Sequence, residues 1–330
     1  IKKIDTGEGS AADLTGNNYP NGLAEPAVVD IDGDSIVDYA YAGDLLGNLW
    51  KFDLTSTTAS SWAVAYGQPF YKACASTTCS ATTFQAITSR PQVGLHPVSG
   101  LMIYFGTGKY FESGDNNSVG QTNQSFYGLW DDNSVTHTPF DRSNLLEQTI
   151  LLEVGQFSEE ERASTDFEIN WGSHKGWFMD LYNHESGNTN NYGERQVSSS
   201  VLRDGRIIFT TLVPEESDPC SAGGTSWFME IDAISGARLP YTPFDLNRDD
   251  KFNDQDYIEV DIDGDGKKEK IPASGKKSKV GILPTPGIVT SADGKIEYKY
   301  ESGSSGVIEI IVENPGENAP GRQSWRHLEN

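Results

Sequence analysis

Four times the chain repeats one short pattern: a Gly or Ser, a block of aromatic and apolar residues, then an acidic residue. It reads GNLWKFD at 47–53, SFYGLWD at 125–131, KGWFMDL at 175–181 and TSWFMEID at 225–232. Each block is too short for a helix and is bounded by polar, glycine-rich turns, so each reads as a short strand with an aromatic at its centre. Further strands fit LMIYFGTGKYFE (101–112), RIIFTTLVP (206–214), KVGILPTPGIVT (279–290) and GVIEIIVEN (306–314). The later copies recur about every fifty residues, close to one four-stranded propeller blade with its loops. The rival is a β-sandwich with recurring aromatic strands.

The composition agrees with an all-β chain. There are 34 Gly and 11% aromatics, and no long segment carries apolar residues at helical spacing. One interval departs from this. DRSNLLEQTILLEVGQFSEEERAS (141–164) has Leu145, Leu146, Ile150 and Leu151 on roughly one helical face, which predicts a small helical insertion between blades. GDLLGNLWKFDL resembles the strand-turn-strand of quinoprotein-like propeller blades. The expected fold is therefore a modified, quinoprotein-like β-propeller over 1–330, with a partial set of about four blades.

DIDGDSIVD at 30–38 places four aspartates in nine residues between two apolar runs. Strands exclude Asp, and adjacent carboxylates repel. Calcium wants six to eight hard oxygen ligands, several of them carboxylates. Positions 1, 3, 5, 7 and 9 supply Asp30, Asp32, Asp34, the Ile36 carbonyl and Asp38, with Gly33 free to curl the backbone. An acidic hairpin turn would explain one Asp-Gly but not four aspartates at ligand spacing. The apolar flanks predict a strand–loop–strand setting.

Two further candidates form an acidic insertion at 245–270. DLNRDDKFNDQD supplies Asp245, Asn247, Asp249, the Lys251 carbonyl and Asp256, with Asn253 at position 9. DIDGDGKKE supplies Asp261, Asp263, Asp265, the Lys267 carbonyl and Glu269. Solvated acidic turns are the rival for both, and a site shared between them is open.

The formal charge of −23 repels phosphate backbones and anionic lipid, which argues against nucleic acid and polybasic membrane anchoring. No run of about 18 apolar residues predicts a membrane span. IKKIDTGEGS has neither an initiator Met nor a signal peptide, and reads as the start of an excised or processed fragment. Cys74 and Cys79 flank ASTT in a polar loop, where they fit a small disulfide, with two free thiols as the alternative. Cys220 is left free or paired elsewhere. The G-x-S-x-G, H-E-x-x-H and P-loop signatures are absent. The five histidines are scattered and read as surface residues.

PAVVDIDGDSIVDYAYAGDLLGNLWKFDL (26–54) resembles the calcium-loop blade of the PilY1/PilC family of type IV pilus tip-associated proteins. ITSRPQVGLHPVSGLMIYFGTGKYFESGDN (87–116), QSFYGLWDD (124–132), DPCSAGGTSWFMEIDAISGARL (218–239), FDLNRDDKFNDQD (244–256) and the closing segment 300–328 continue the likeness in order. The resemblance implies a C-terminal, calcium-binding propeller on a secreted, pilus-associated protein, exported through the periplasm to the cell surface. It implies Ca2+ at Asp30, Asp32, Asp34, Ile36 and Asp38, with occupancy regulating pilus extension and retraction. It also implies partners among type IV pilus components (minor pilins and the pilus tip) and a host-surface ligand. No catalytic role is expected. A calcium-dependent lectin-like module, with Trp50, Trp130 or Trp177 stacking on sugars, is the alternative, followed by a quinoprotein-like dehydrogenase.

Overall fold

A strand buried on both faces reads as an unbroken apolar run, because neither side of its pleat meets water. LMIYF, RIIFT and WFMEI are such runs, and the structure packs sheet on sheet around them. The computed structural model describes residues 2–8, 21–118, 120–156, 159–185, 188, 192–215, 223–262 and 265–316. Cys220 and Asp263 lie outside these residues.

The first blade holds β1 (Ala27–Val29), β2 (Tyr39–Gly43), β3 (Asn48–Asp53), β4 (Ala63–Val64) and β5 (Tyr71–Lys72), in the order β1-β2-β3 with β4 and β5 both on β3. The second blade begins with β6 (Gln92–Leu95), β7 (Leu101–Gly106) and β8 (Ser125–Asp131). A hairpin of β9 (Leu146–Gln156) and β10 (Glu159–Ser164) intervenes before β11 (Gly176–Asn183) completes it. The third contains β12 (Val201–Arg203) and β13 (Arg206–Thr210), a small pair β14 (Val213–Pro214) and β15 (Gly224–Thr225), and β16 (Trp227–Asp232). The hairpin β17 (Ile258–Val260) and β18 (Glu269–Ile271) precedes its last strand, β19 (Gly275–Lys277). β20 (Gly287–Thr290), β21 (Glu297–Ser302) and β22 (Ile308–Glu313) form a three-stranded fourth unit.

The β9–β10 hairpin joins the second and third blades into one ten-stranded sheet. Its order is β12-β13-β16-β19-β10-β9-β11-β8-β7-β6, with β11 and β9 parallel and the other pairs antiparallel. The sheet curls until its end strands meet. A Cβ added to Gly94 of β6 would lie 2.4 Å from Leu202 Cδ2 of β12.

Alternation along each strand assigns its two faces to different cores. In β7, Leu101, Ile103 and Phe105 pack with Tyr41 and Leu49 of the first blade, whereas Met102 and Tyr104 pack with Ile207 and Phe209 of the third. In β16, Trp227, Met229 and Ile231 face the second blade, while Phe228 joins Phe244, Val280 and Ile311 on the other side. Trp177 closes the second interface. Its indole lies where a Cβ on Gly236 (φ +71) would stand 2.4 Å away, and its Nε1 donates to the Ala233 carbonyl at 3.1 Å.

Each interface also buries ions. Lys51 pairs with Asp131 at 2.7 Å, and the Tyr41 hydroxyl donates to the same carboxylate at 2.5 Å. Arg162 pairs with Glu194 (2.5 Å) and Glu153 (2.7 Å) and lies 3.9 Å over Trp227. Arg206 bonds Glu230 and Glu297, and Lys299 pairs with Glu313 at 2.8 Å. Paired in this way, buried charges avoid the large cost of standing alone.

The all-β propeller expectation holds, with one correction. Residues 141–164 are not a helical insertion: apart from one 3-10 turn at Arg142–Asn144, they form β9 and β10. Leu146, Gln148 and Ile150 share one face of β9, and a bulge between Ile150 and Leu152 turns Leu152 and Val154 to the other core. Gln148 hides the alternation, because it is polar yet fully buried. Its amide donates to Phe167 O (2.7 Å) and Ser235 O (3.0 Å) and accepts from Thr165 Oγ1. The run 279–290 is also shorter as strand than expected, starting only at Gly287. Among the described residues no helix is long and apolar enough to cross a membrane.

Candidate metal centre

The loop 30–38 connects β1 to β2, whose register places Val29 opposite Tyr39. Asp38 sits at the base of this hairpin: its N–H donates to Val29 O at 2.8 Å, and its carbonyl accepts from Leu54 N at 2.8 Å, beyond the end of β3. Asp30 Oδ1 and Oδ2 accept from Gly33 N (2.7 Å) and Ser35 N (2.8 Å). Asp32 accepts from Asp34 N (3.1 Å), Asp34 from Ile36 N (2.7 Å), and Asp38 Oδ2 from Ile31 N (2.8 Å). Gly33 (φ 79) and Ser35 (φ 71) take the left-handed conformation that makes so tight a curl.

These bonds gather the acids on the inside of the loop. One carboxylate oxygen from each of Asp30, Asp32 and Asp38 lies within 4.8 Å of the others. Asp34 is exposed, and the Ile36 side chain points to solvent. Among the described residues no Lys, Arg or His forms an ion pair with any of the four aspartates. Hard oxygens, converging and without a protein cation, match the donor set of a calcium ion.

The other two loops repeat the backbone scheme. The first-position carboxylate accepts from the sixth-position N–H in all three: Asp30 from Ser35, Asp245 from Asp250 (2.9 Å) and Asp261 from Gly266 (2.8 Å). The fifth accepts from the seventh: Asp34 from Ile36, Asp249 from Lys251 (3.0 Å) and Asp265 from Lys267 (2.8 Å). The last carboxylate reaches back to the second N–H: Asp38 to Ile31, Asp256 to Leu246 (3.0 Å) and Glu269 to Ile262 (3.1 Å). The sixth residue has positive φ each time: 71° at Ser35, 57° at Asp250 and 85° at Gly266.

The loops differ in charge. Among the described residues, neither later loop brings three carboxylates as close as the first. Asp256 is fully buried, and its two oxygens accept three backbone N–H groups, from Leu246, Asn247 and Asn253. Asn247 supplies an amide oxygen in place of a carboxylate, accepting from Asp249 N at 3.0 Å. Lys251 stands 3.5 Å from Asp249, and Lys267 lies 2.8 Å from Asp265, so each of these loops carries a cation of its own. The third loop forms the tip of the β17–β18 hairpin. Hydrogen bonds from the Lys267 side chain and backbone N–H hold the Asp265 carboxyl below its ordinary range.

One residue type escaped the ligand-by-ligand reading. The second position is apolar in every loop, and each such side chain reaches the core. Ile31 packs against the cluster around Val29 and Tyr41, Leu246 is buried beside Phe244 and Ile258, and Ile262 packs on that same cluster. Loop and blade are thus pinned together by the residue next to the first-position acid. The sequence signal is the apolar letter in DID, DLN and DID.

The structure pairs Cys74 with Cys79, Cα atoms 5.5 Å apart. The Cys74 carbonyl accepts from Arg142 Nη1 at 3.1 Å. Trp50 and Trp177 are buried, so neither offers a face to a sugar. Trp130 is partly exposed but stacks on His96, which is itself buried rather than a surface residue.

A family model described as the PilY1 beta-propeller domain matches residues 1–159. The type IV pilus biogenesis factor PilY1 of Pseudomonas aeruginosa is 33% identical over 352 residues, which cover 96% of this chain and 28% of that protein. A PilY1 homolog of Xylella fastidiosa is 35% identical over 243 residues, covering 72% of this chain and 16% of that protein. The chain therefore spans well under a third of the length of these curated relatives. The crystal structure of the Pseudomonas aeruginosa PilY1 C-terminal domain superposes with a TM-score of 0.74 at 30% identity, covering 90% of this chain and 61% of that one. With the blade order above, these likenesses identify the chain as a C-terminal propeller domain belonging to the PilY1 family of type IV pilus biogenesis factors.

Proposed function

We propose that this domain is a non-enzymatic, calcium-binding propeller whose ion occupancy regulates pilus extension and retraction and, with them, surface attachment. The observation that carries the reading is the meeting of Asp30, Asp32 and Asp38 within 4.8 Å, with no ion pair to a protein cation among the described residues. Asp34 and the Ile36 carbonyl complete the donor set. The loops at 245–256 and 261–269 are secondary sites, supported by the shared hydrogen-bond scheme and weakened by Lys251 and Lys267.

A bound calcium ion neutralises the clustered carboxylates. The chain's own residues do the rest. Asp38 is tied to β1 through Val29 and to the end of β3 through Leu54, so its position is felt by two strands of the first blade. β1 also touches β6 of the second blade. Occupancy thereby tightens one edge of the propeller, and the partners we infer for the domain are minor pilins and other pilus-tip components. A host-surface ligand is the second partner class. The location we infer is extracellular and pilus-associated, reached through the periplasm. Calcium is abundant there, so a site of roughly 10⁻⁴–10⁻³ M affinity suffices.

Titration calorimetry on the wild type and on Asp30→Ala, Asp38→Ala, Asp249→Ala and Asp261→Ala tests the assignment. The tightest calcium event is expected to vanish in the first two variants and persist in the last two. Calcium heats unchanged in Asp30→Ala and Asp38→Ala would defeat it. In cells carrying the full-length protein, the same two variants are expected to alter pilus retraction.

A further inference from the structure

A second group of donors lies away from the acidic loops, where β9 runs parallel to β11. Phe178 stands opposite Glu147, Met179 opposite Gln148, and Asn183 opposite Ile150. From Met179 to Asn183 is four residues, while Gln148 to Ile150 is two, so β11 bulges by two residues over Asp180–Tyr182. Bulges re-aim side chains and are frequent beside functional sites. Here the bulge brings His184 to Glu147 and Asp180, with one donor atom from each lying within 4.8 Å of the other two. We propose that Glu147, Asp180 and His184 bind one divalent first-row transition metal ion of the zinc class.

Three observations support a built site rather than a chance cluster. Asp180 is held from behind: Arg142 and the Ser125 hydroxyl (2.5 Å) both bond its Oδ1, leaving Oδ2 for a ligand. Arg142 is itself fixed by the Cys74 carbonyl and lies 3.9 Å over the Phe178 ring. Such outer partners are what orient ligating carboxylates in metal sites. His184 is anchored through its backbone N–H to Ile150 O at 2.9 Å, and its ring rests edge-on to Tyr182 at 4.9 Å. Glu147 is exposed, and among the described residues its carboxylate has no ion-pair or hydrogen-bond partner. Two carboxylates thus face one imidazole with a single guanidinium to balance them.

The donor types choose the ion. An imidazole nitrogen favours zinc and its neighbours over calcium or magnesium, which want oxygen shells. One nitrogen and two carboxylates make three protein ligands, and water takes the remaining position.

The test is a zinc titration, with cobalt as a spectroscopic probe, on the 330-residue chain in excess calcium, so that the acidic loops do not compete. Wild type is expected to bind one equivalent of zinc and to give cobalt visible bands of low coordination number. His184→Ala and Glu147→Gln are each expected to weaken zinc binding by about tenfold or more. Both side chains are exposed, so circular dichroism should be unchanged, as should the calcium titration. No zinc binding by wild type, or affinity kept in either variant, overturns the site. Calcium binding is read in a separate titration, so failure of the loops and failure of this site are distinguishable.

Discussion

Replacing Asp30 by Ala separates an ion site from an acidic turn, because the two readings assign different energies to the same side chain. Without calcium the substitution removes two hydrogen bonds, to Gly33 N and Ser35 N. Both donors lie in an exposed loop, where each bond is worth about 0.5–1.5 kcal/mol net. Against this, Asp30 lies within 4.8 Å of carboxylate oxygens on Asp32 and Asp38. At the dielectric of water each such repulsion is about 0.9 kcal/mol, so removing Asp30 relieves roughly 1.7 kcal/mol. The two terms nearly cancel, and the variant should melt within about 1–2 °C of wild type in chelator.

With calcium at about 100 times its dissociation constant, binding adds about 2.7 kcal/mol to the native state. The unfolding entropy expected for 330 residues is roughly 0.7 kcal/mol/K. Wild type should therefore gain about 4 °C on adding calcium, and Asp30→Ala should gain far less. Thermal melts followed by circular dichroism at low ionic strength, with and without chelator, measure all four states. An equal loss in chelator and in calcium would show that Asp30 is a turn residue only. The absence of a calcium shift in wild type would refute the reasoning outright.

Three other outcomes follow from the blade interfaces. Trp177→Ala empties the space against Gly236 and should cost about 3–5 kcal/mol, seen as a drop in Tm of several degrees; a change below 1 °C would mean that the indole is not an interblade closure. Lys51→Met leaves Asp131 buried without its cation and should cost about 3–5 kcal/mol in urea unfolding, while adding Asp131→Asn should restore much of the loss. Burial, with the charge of Glu309, pushes the Glu301 carboxyl up to about 8 from its ordinary 4.5, and neither of its oxygens has a hydrogen-bond partner among the described residues. The folded state then binds that proton more tightly than the unfolded chain, so stability should fall as pH rises from about 4.5 to about 8. Glu301→Gln should flatten that limb of the pH–stability curve, and an unchanged slope would remove Glu301 as its source.

The aromatic strands were legible because the blades bury both of their faces, leaving apolar runs such as LMIYF that only a doubly covered strand tolerates. The ligand spacing of 30–38 was equally plain, since side chains at alternate positions must turn inward whatever the surrounding fold. What escaped depended on contacts remote in sequence. Gln148 breaks the alternation of β9 because Phe167 and Ser235 satisfy its amide, and four leucine and isoleucine side chains then matched a helix as well as a strand. His184 looked like an isolated surface residue because its neighbours come from a parallel pairing and a bulge. In the second and third loops the spacing put oxygen donors at alternate positions. It did not foretell that Lys251 and Lys267 would lean back onto Asp249 and Asp265.

The ten-stranded sheet gives the domain a mechanical character unlike that of independent blades. Ordinary blades meet only through side chains, which can be peeled apart one contact at a time. Here the β9–β10 hairpin stitches the second blade to the third with main-chain bonds, parallel on one side and antiparallel on the other. A load that draws these blades apart along their strands must shear several backbone hydrogen bonds together, the arrangement in which a sheet is stiffest. The first blade, which carries the loop at 30–38, has its own sheet and stands outside this seam. Under tension the second and third blades should therefore behave as one spring, and the first, with its aspartates, as the compliant end.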